Sequence, residues 1–281
     1  MSDLLSGLAS LGLGNLEGME VFEEPKKTEE TVAQAQAPQV VEQDIIYDRG
    51  YECPVCDKKI TAKTVKAGKC KLSHTDQDLR PVYEGIDVVK YDVVVCPYCG
   101  HAALTRYFKP LTSMQVKLIK ENISRSFKMQ KQEEETISYE AALMRYQLAL
   151  ANAIVKKGRA SEKAYICLKS GWLLRGWQES LGDSEEEQKK KEELAAQEKD
   201  YLQKALDGFI AAVQSESFPM CGMDETTTDY LMAVLSAKFG KYEIASKLIG
   251  KILTSPSASS RIKDKTRDLK EMILEELKKN K

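Results

Sequence analysis

Four cysteines in two C-x-x-C motifs are the residues whose type and spacing best fit a chemical role. They are Cys53, Cys56, Cys96 and Cys99, in the segments CPVC and CPYCG. One C-x-x-C turn brings two thiolates to one ion, and two turns supply the four sulfurs of a tetrahedron, which Zn²⁺ accepts. The sequence therefore predicts one metal site with four cysteine ligands. Zinc is the expected metal, and iron in a rubredoxin-like centre is the alternative.

The residues around the motifs support this interpretation. Pro54 and Pro97 fix φ inside the turns, and Gly100 permits a positive φ after the second turn. Asp57 stands at the equivalent place in the first turn. The long insert between the motifs must fold back as a hairpin or a loop. Its lysines between residues 58 and 71 could screen the negative charge of four thiolates.

The predicted site is structural rather than catalytic. A closed centre of four cysteine ligands has no open position for water or substrate. The chain has two histidines, His74 and His101, and no phosphate-binding loop or nucleophile-elbow motif. We predict no catalytic residue. A thioredoxin-like dithiol is the redox alternative, but it needs a C-x-x-C at a helix N-terminus in a βαβ setting.

The remaining cysteine and histidine positions have plainer interpretations. Cys70 and His74 are four positions apart and could form an alternative ligand pair. Four better ligands exist, so we expect both residues to have incidental positions in the insert. His101 follows the second turn directly, and we expect it at the surface. Cys167 and Cys221 lie in apolar contexts typical of small core residues.

Charge composition limits the partners of the chain. Its 281 residues include 42 Lys+Arg and 43 Asp+Glu, which excludes a globally basic nucleic-acid binder but not a local basic patch. The insert could supply such a patch with Lys58, Lys59, Lys63 and Lys66. Nucleic-acid binding by the cysteine module is therefore an alternative function, and its affinity would be weak and salt-sensitive.

Composition and periodicity divide the chain into three parts. The pattern of residues 1–44 predicts a short amphipathic helix followed by a disordered acidic linker. Residues 45–110 predict a zinc-ribbon-like metal-binding module, with strands at Val88–Val95 and Ile60–Val65. Residues 111–281 predict an α-helical, tetratricopeptide-like module. The expected fold class is mainly α, with a small four-cysteine zinc-ribbon-like β module followed by the helical array.

Capping residues and glycines locate the predicted helices. Thr112 and Ser138 are expected N-caps. Thr226 and Asp229 resemble a capping box. Further helices are expected over 161–181, from Glu185 to Val213, over Tyr230–Leu253 as a helix–turn–helix with Gly240 at the turn, and over 259–279.

Nothing in the sequence predicts export or membrane insertion. The first residues lack a basic region, and no eighteen apolar residues run together. Seven cysteines in a chain without an export signal point to reduced thiols in the cytoplasm. Their odd count also argues against a complete disulfide framework.

Several segments together resemble a bacterial family catalogued as domain of unknown function 2225. They are CPVC, LRPVYEGI at 79–86, CPYCGHAA, AYICLKSGW at 164–172 and FPMCGMD at 218–224. The resemblance covers about residues 45–279. It implies a zinc-ribbon-like module joined to a tetratricopeptide-like module in a cytoplasmic protein with no assigned activity. It also implies that the metal ligands are Cys53, Cys56, Cys96 and Cys99. His101 stands where the family is expected to have an aromatic residue.

The function that these observations favour is a non-catalytic metal-binding adaptor. The helical module would bind a protein partner, and we expect neither a membrane nor a small-molecule substrate. Nucleic-acid binding and redox chemistry stay as alternatives.

Overall fold

The computed structural model describes residues 41–128 and 135–279, and it is mainly α as predicted. Its N-terminal part contains short β-strands in three antiparallel pairs. They are β1 (Ile46–Glu52) with β2 (Lys59–Val65), β3 (Leu72–Thr75) with β4 (Pro81–Tyr83), and β5 (Val93–Val95) with β6 (Ala102–Leu104). The strand predicted at Ile60–Val65 is confirmed as β2. The insert between the cysteine motifs folds back through the β3–β4 hairpin, as expected.

Eight α-helices accompany these strands in the described residues. They are α1 (Glu42–Ile45), α2 (Ser113–Ile119), α3 (Tyr139–Val155), α4 (Ala160–Ser180), α5 (Glu185–Ser215), α6 (Glu225–Lys238), α7 (Tyr242–Thr254) and α8 (Ser260–Lys279). The helix predicted near the N-terminus and most of the predicted acidic linker lie outside the described residues.

Side-chain caps fix several helix starts. Thr112 caps α2 in a capping box with Gln115, and Ser138 caps α3, both as predicted. At α6 the prediction was wrong. The N-cap is Asp224, whose carboxylate accepts from the Thr227 backbone N–H, and the Thr226–Asp229 pair lies inside the helix.

The prediction of a strand over Val88–Val95 was also wrong for most of its length. Residues Val88–Tyr91 form a 3-10 turn, and only Val93–Val95 are extended. The side chain of Asp87 caps this turn by accepting from the Val89 backbone N–H at 3.0 Å. A local side-chain hydrogen bond thus overrides the β propensity of the valines.

One hydrophobic core joins the strands to the helices. Val93 and Leu104 from the β5–β6 pair lie in it with Tyr146 of α3, Leu168 of α4 and Leu206 of α5. The predicted module boundary at residues 110–111 therefore falls between elements that share a core. Strands β5 and β6, which flank the second cysteine motif, are held against the helical array by this packing.

Helices α6, α7 and α8 pack around a second cluster of buried side chains. Gly240, at φ +67, allows the tight turn between α6 and α7, which confirms the predicted helix–turn–helix. The tetratricopeptide-like classification stays a prediction. Among the described residues, no helix combines the length and apolar character that crossing a membrane would need.

Candidate metal centre

The structure brings the four predicted ligands together. The sulfurs of Cys53, Cys56, Cys96 and Cys99 all lie within 4.8 Å of one another. Cys53 Sγ is 3.6 Å from Cys99 Sγ, and Cys56 Sγ is 3.5 Å from Cys96 Sγ. The short distances join sulfurs of different motifs, so the two turns face each other across one point.

The two turns are built alike. The backbone N–H of Asp57 donates to the Cys53 carbonyl at 2.9 Å, and that of Gly100 donates to the Cys96 carbonyl at 3.0 Å. Both donating residues have positive φ, +59 at Asp57 and +71 at Gly100. The expected positive φ at Gly100 is confirmed, and Asp57 adopts the same conformation in spite of its Cβ.

Backbone N–H groups stabilise negative charge on the sulfurs. Those of Val55 and Cys56 hydrogen-bond to the Cys53 sulfur, and those of Tyr98 and Cys99 to the Cys96 sulfur; each lowers the thiol pKa. Hydrogen bonds from the Cys53 and Cys99 thiols lower the pKa of Cys96, whereas the contact with Cys96 raises the pKa of Cys53. Negative charge is therefore favoured on the Cys96 sulfur.

The sulfur geometry fits a tetrahedral metal ion. A Zn–S bond of about 2.3 Å corresponds to a sulfur–sulfur edge of about 3.8 Å. The Cys56–Cys96 and Cys53–Cys99 distances, 3.5 and 3.6 Å, lie close to this value. Four thiolates fill every position of such an ion, and the metal would cross-link the two turns.

The centre lies inside a core rather than on the surface. Cys53, Cys96 and Cys99 are buried in a cluster with Val94 of β5 and with further side chains from β2 and α2. Gly100 also contributes to close packing, because a Cβ at this position would lie 2.6 Å from ring carbons of Phe127.

His101 contradicts the prediction of a surface position. Its side chain is fully buried, and its Nδ1 lies 3.1 Å from Oδ1 of Asn152 in α3. The same amide donates from Nδ2 to the Gly100 carbonyl at 3.0 Å. Burial lowers the pKa of His101 to about 4, so the ring is neutral at neutral pH. Asn152 thus ties the second cysteine turn to the helical array.

Replacing Asn152 by alanine tests this connection. The change leaves the buried Gly100 carbonyl and the His101 ring without their partner. We expect the free energy of unfolding to fall by about 1–3 kcal/mol, measured by urea denaturation. Met144→Ala on the exposed side of the same helix is the control, with an expected change below about 0.5 kcal/mol. Equal effects of the two changes would contradict the role assigned to Asn152.

The other candidate ligands and charges lie elsewhere. The Cys70 thiol donates to the Lys66 carbonyl, and His74 is exposed beside Asp76. Neither belongs to the sulfur cluster. Lys63 pairs with Asp48, and Lys66 donates to the Asp44 carbonyl. The hydrogen bonds that lower the thiol pKa values come from neighbouring thiols and backbone N–H groups, and not from these lysines.

The backbone around the motifs differs from that of a dithiol oxidoreductase. Each C-x-x-C occupies a turn, and neither opens a helix. All strand pairs in residues 41–128 and 135–279 are antiparallel, so the described part of the chain contains no parallel βαβ unit. The geometry favours metal binding over disulfide exchange.

An ion-pair cluster that the sequence analysis missed attaches the insert to the helices. Arg175 of α4 contacts Asp78 at 2.7 Å, Asp76 at 2.9 Å and Glu198 of α5 at 2.8 Å. Arg80 pairs with Asp76 and with Glu179 at the end of α4. The side chains of Asp78, Arg80 and Glu198 are at most 9% exposed. The only signal in the sequence was the placing of charged residues at every second position, Asp76, Asp78 and Arg80.

Comparison with known proteins identifies a family without a described activity. The family model DUF2225, described as an uncharacterized protein conserved in bacteria, matches residues 46–273. This agrees with the resemblance noted from the cysteine and helical segments. No curated protein and no solved structure matches the chain.

Proposed function

The chain belongs to the DUF2225 family of uncharacterized bacterial proteins, and we propose that it is a non-catalytic adaptor whose fold depends on a structural zinc site. The observation that carries this proposal is the closed set of four sulfurs within 4.8 Å. Four protein ligands leave no position for water or substrate, which is the arrangement of structural zinc sites.

Zinc is the metal that the donor set supports best. All four donors are thiols, and the backbone N–H groups around them favour thiolates. Iron accepts the same four sulfurs. The seven cysteines are all free in the structure, which suits a reducing compartment such as the cytoplasm.

The partner in this proposal is a protein that packs on α8. Leu274 and Leu277 lie one turn apart on this helix and are 46% and 39% exposed. Leucines exposed on one side of a helix can bind a complementary apolar segment of another protein. The buried side of α8, with Leu269 and Ile273, packs on the rest of the array.

Photo-cross-linking in living cells of the natural bacterial host tests the adaptor proposal. A photoreactive residue at Glu275, beside the two leucines, should capture one defined protein in stoichiometric amounts. The double change Leu274→Glu and Leu277→Glu should abolish capture without altering metal content or melting temperature. Met114→Glu, at an exposed methionine of α2, should leave capture intact. Capture that is unaffected by the leucine changes, or no capture at all, would refute the proposal.

Nucleic-acid binding is a second candidate, favoured by one surface feature. The Lys58 ammonium lies 4.3 Å from the ring centroid of Tyr98, and this ring is 45% exposed beside a groove formed by β1 and β2. Such a pair can stack on a base. Replacing Lys58, Lys59, Lys63 and Lys66 by alanine should then remove a salt-dependent anisotropy change with single-stranded oligonucleotides. No binding at low salt would eliminate this candidate.

A further inference from the structure

A basic cleft lies between the β6–α2 connection, the α3–α4 turn and the α5–α6 loop. Its volume is about 600 Å³, within the range of small-ligand sites. Two acidic residues, Glu162 and Glu216, line it together with five basic ones, which are Arg106, Lys109, Lys156, Lys157 and Arg159. The cleft is thus strongly cationic in a chain whose net charge is −1.

Lys156 is a buried ammonium in the wall of this cleft. Its side chain is 5% exposed, and its Nζ donates to Glu162 Oε1 at 2.7 Å. An ammonium has three N–H donors, and among the described residues Glu162 is its one hydrogen-bond acceptor. An anion in the cleft would accept from the remaining donors.

Unlike Lys156, the other basic residues of the cleft form no ion pair with a carboxylate in the described part of the chain. Arg106 lies over the ring of Tyr165, with its guanidinium carbon 5.5 Å from the centroid. The loop after α5 passes close to this guanidinium. A Cβ at Gly222 of this loop would lie only 2.6 Å from Arg106 Nη2. Glycine at φ +79 therefore permits the approach of loop and arginine.

A carboxylate of the chain already occupies one end of the cleft. Glu216 accepts from the Ser161 backbone N–H at 3.0 Å and from the Ser161 hydroxyl. This contact caps the N-terminus of α4, where the helix dipole favours negative charge. Glu216 therefore occupies the N-terminus of α4, and a ligand in the cleft would bind beside Lys156 and the two arginines.

We propose that this cleft binds the phosphate group of a small phosphorylated molecule. The local surplus of positive charge matches a phosphate better than a single carboxylate, since a phosphate carries more than one negative charge. Its oxygens can accept from Lys156 and from arginine forks at the same time. Tyr107, Pro219 and Met220 supply apolar surface for the rest of the ligand. Ligand binding here goes beyond the adaptor proposal and does not depend on it.

Calorimetric titration of the zinc-loaded full chain with pyrophosphate tests the proposal at low salt. We expect saturable binding with a Kd below about 1 mM. Arg159→Gln, at an exposed residue without an ion pair in the described residues, should weaken binding about tenfold and leave the melting temperature unchanged. The double change Lys156→Met and Glu162→Leu removes the buried pair as a whole and should abolish binding. Lys163→Gln, on α4 outside the cleft, is the control.

The outcomes separate the possible ligands. Adenosine diphosphate binding more tightly than pyrophosphate, with the same loss in the variants, would support a nucleotide-like ligand. Equal binding of inorganic phosphate and pyrophosphate would support recognition of the phosphate group alone. No saturable binding up to about 10 mM pyrophosphate, or binding that is unchanged in both cleft variants, would overturn the proposal. Binding of single-stranded RNA alone, lost in the same variants, would also overturn it in favour of a nucleic-acid backbone.

Discussion

Replacing Cys96 by serine should release the metal and lower the melting temperature by at least about 10 °C. Hydrogen bonds from the Cys53 and Cys99 thiols lower the pKa of Cys96, and its side chain is fully buried. Structural zinc contributes about 10–16 kcal/mol of apparent binding free energy in small zinc domains. A serine hydroxyl is a poor replacement for a thiolate, so much of this stabilisation is lost. Metal analysis and thermal unfolding of the same sample measure both effects.

Cys70→Ser is the matched control for this experiment. Cys70 lies in the same insert, is half-buried, and is not part of the sulfur cluster. We expect full metal content and a melting temperature within about 2 °C of the parent. A Cys70 variant that loses metal, or a Cys96 variant that keeps it, would show that the ligands have been assigned incorrectly.

Replacing Arg175 by methionine should be the next most damaging change. Methionine keeps much of the length of the side chain but leaves the buried carboxylates of Asp78 and Glu198 without their main partner. Removing one partner of a buried ion pair costs about 3–5 kcal/mol. Urea denaturation should show this loss. Arg267→Met on α8, where the arginine pairs with Asp264 at the exposed surface, should cost less than about 1 kcal/mol.

The effect of Arg175→Met should also depend on pH. Burial alone would raise the pKa of Glu198, but the charges of Arg175 and Lys238 outweigh burial and lower it. The pKa of Asp76 is lowered in the same way against its burial, by Arg175 and Arg80. A depressed carboxyl pKa stabilises the fold above the pKa of the unfolded chain, and this stabilisation is lost as pH falls.

The difference in unfolding free energy between parent and Arg175→Met should therefore be largest near pH 7. It should shrink as the pH falls below about 4, the unfolded value for these carboxyls. A difference that is constant between pH 7 and pH 3 would contradict the assigned ion pairs. Mutating Asp78 to Asn together with Arg175→Met should recover part of the loss, because one buried charge is then removed.

The cysteine turns could be predicted because their geometry is local. The spacing of Cys53 and Cys56, the proline between them and the residue that follows fix each turn without help from the rest of the fold. The prediction that the two turns lie close together followed from chemistry, because one metal ion binds four thiolates. Helix starts at Thr112 and Ser138 were predictable for the same reason, since an N-cap bonds within three residues of itself.

The contacts that hold the site in place were not predictable, because their partners are distant in the chain. His101 and Asn152 are 51 positions apart, and Arg175 reaches Asp78 across 97. No period or motif marks such pairs in a single sequence. The prediction of a strand at Val88–Tyr91 was wrong for a local reason. The valines favour a strand, but the Asp87 side chain caps a 3-10 turn at this place.

The most direct test of this account is metal analysis of the full chain purified from its own host without added metal, combined with X-ray absorption at the metal edge. The account predicts one zinc per chain, bound by four sulfurs at about 2.3 Å. A chain without metal, or one whose metal is bound by nitrogen or oxygen in place of any of the four sulfurs, would contradict it.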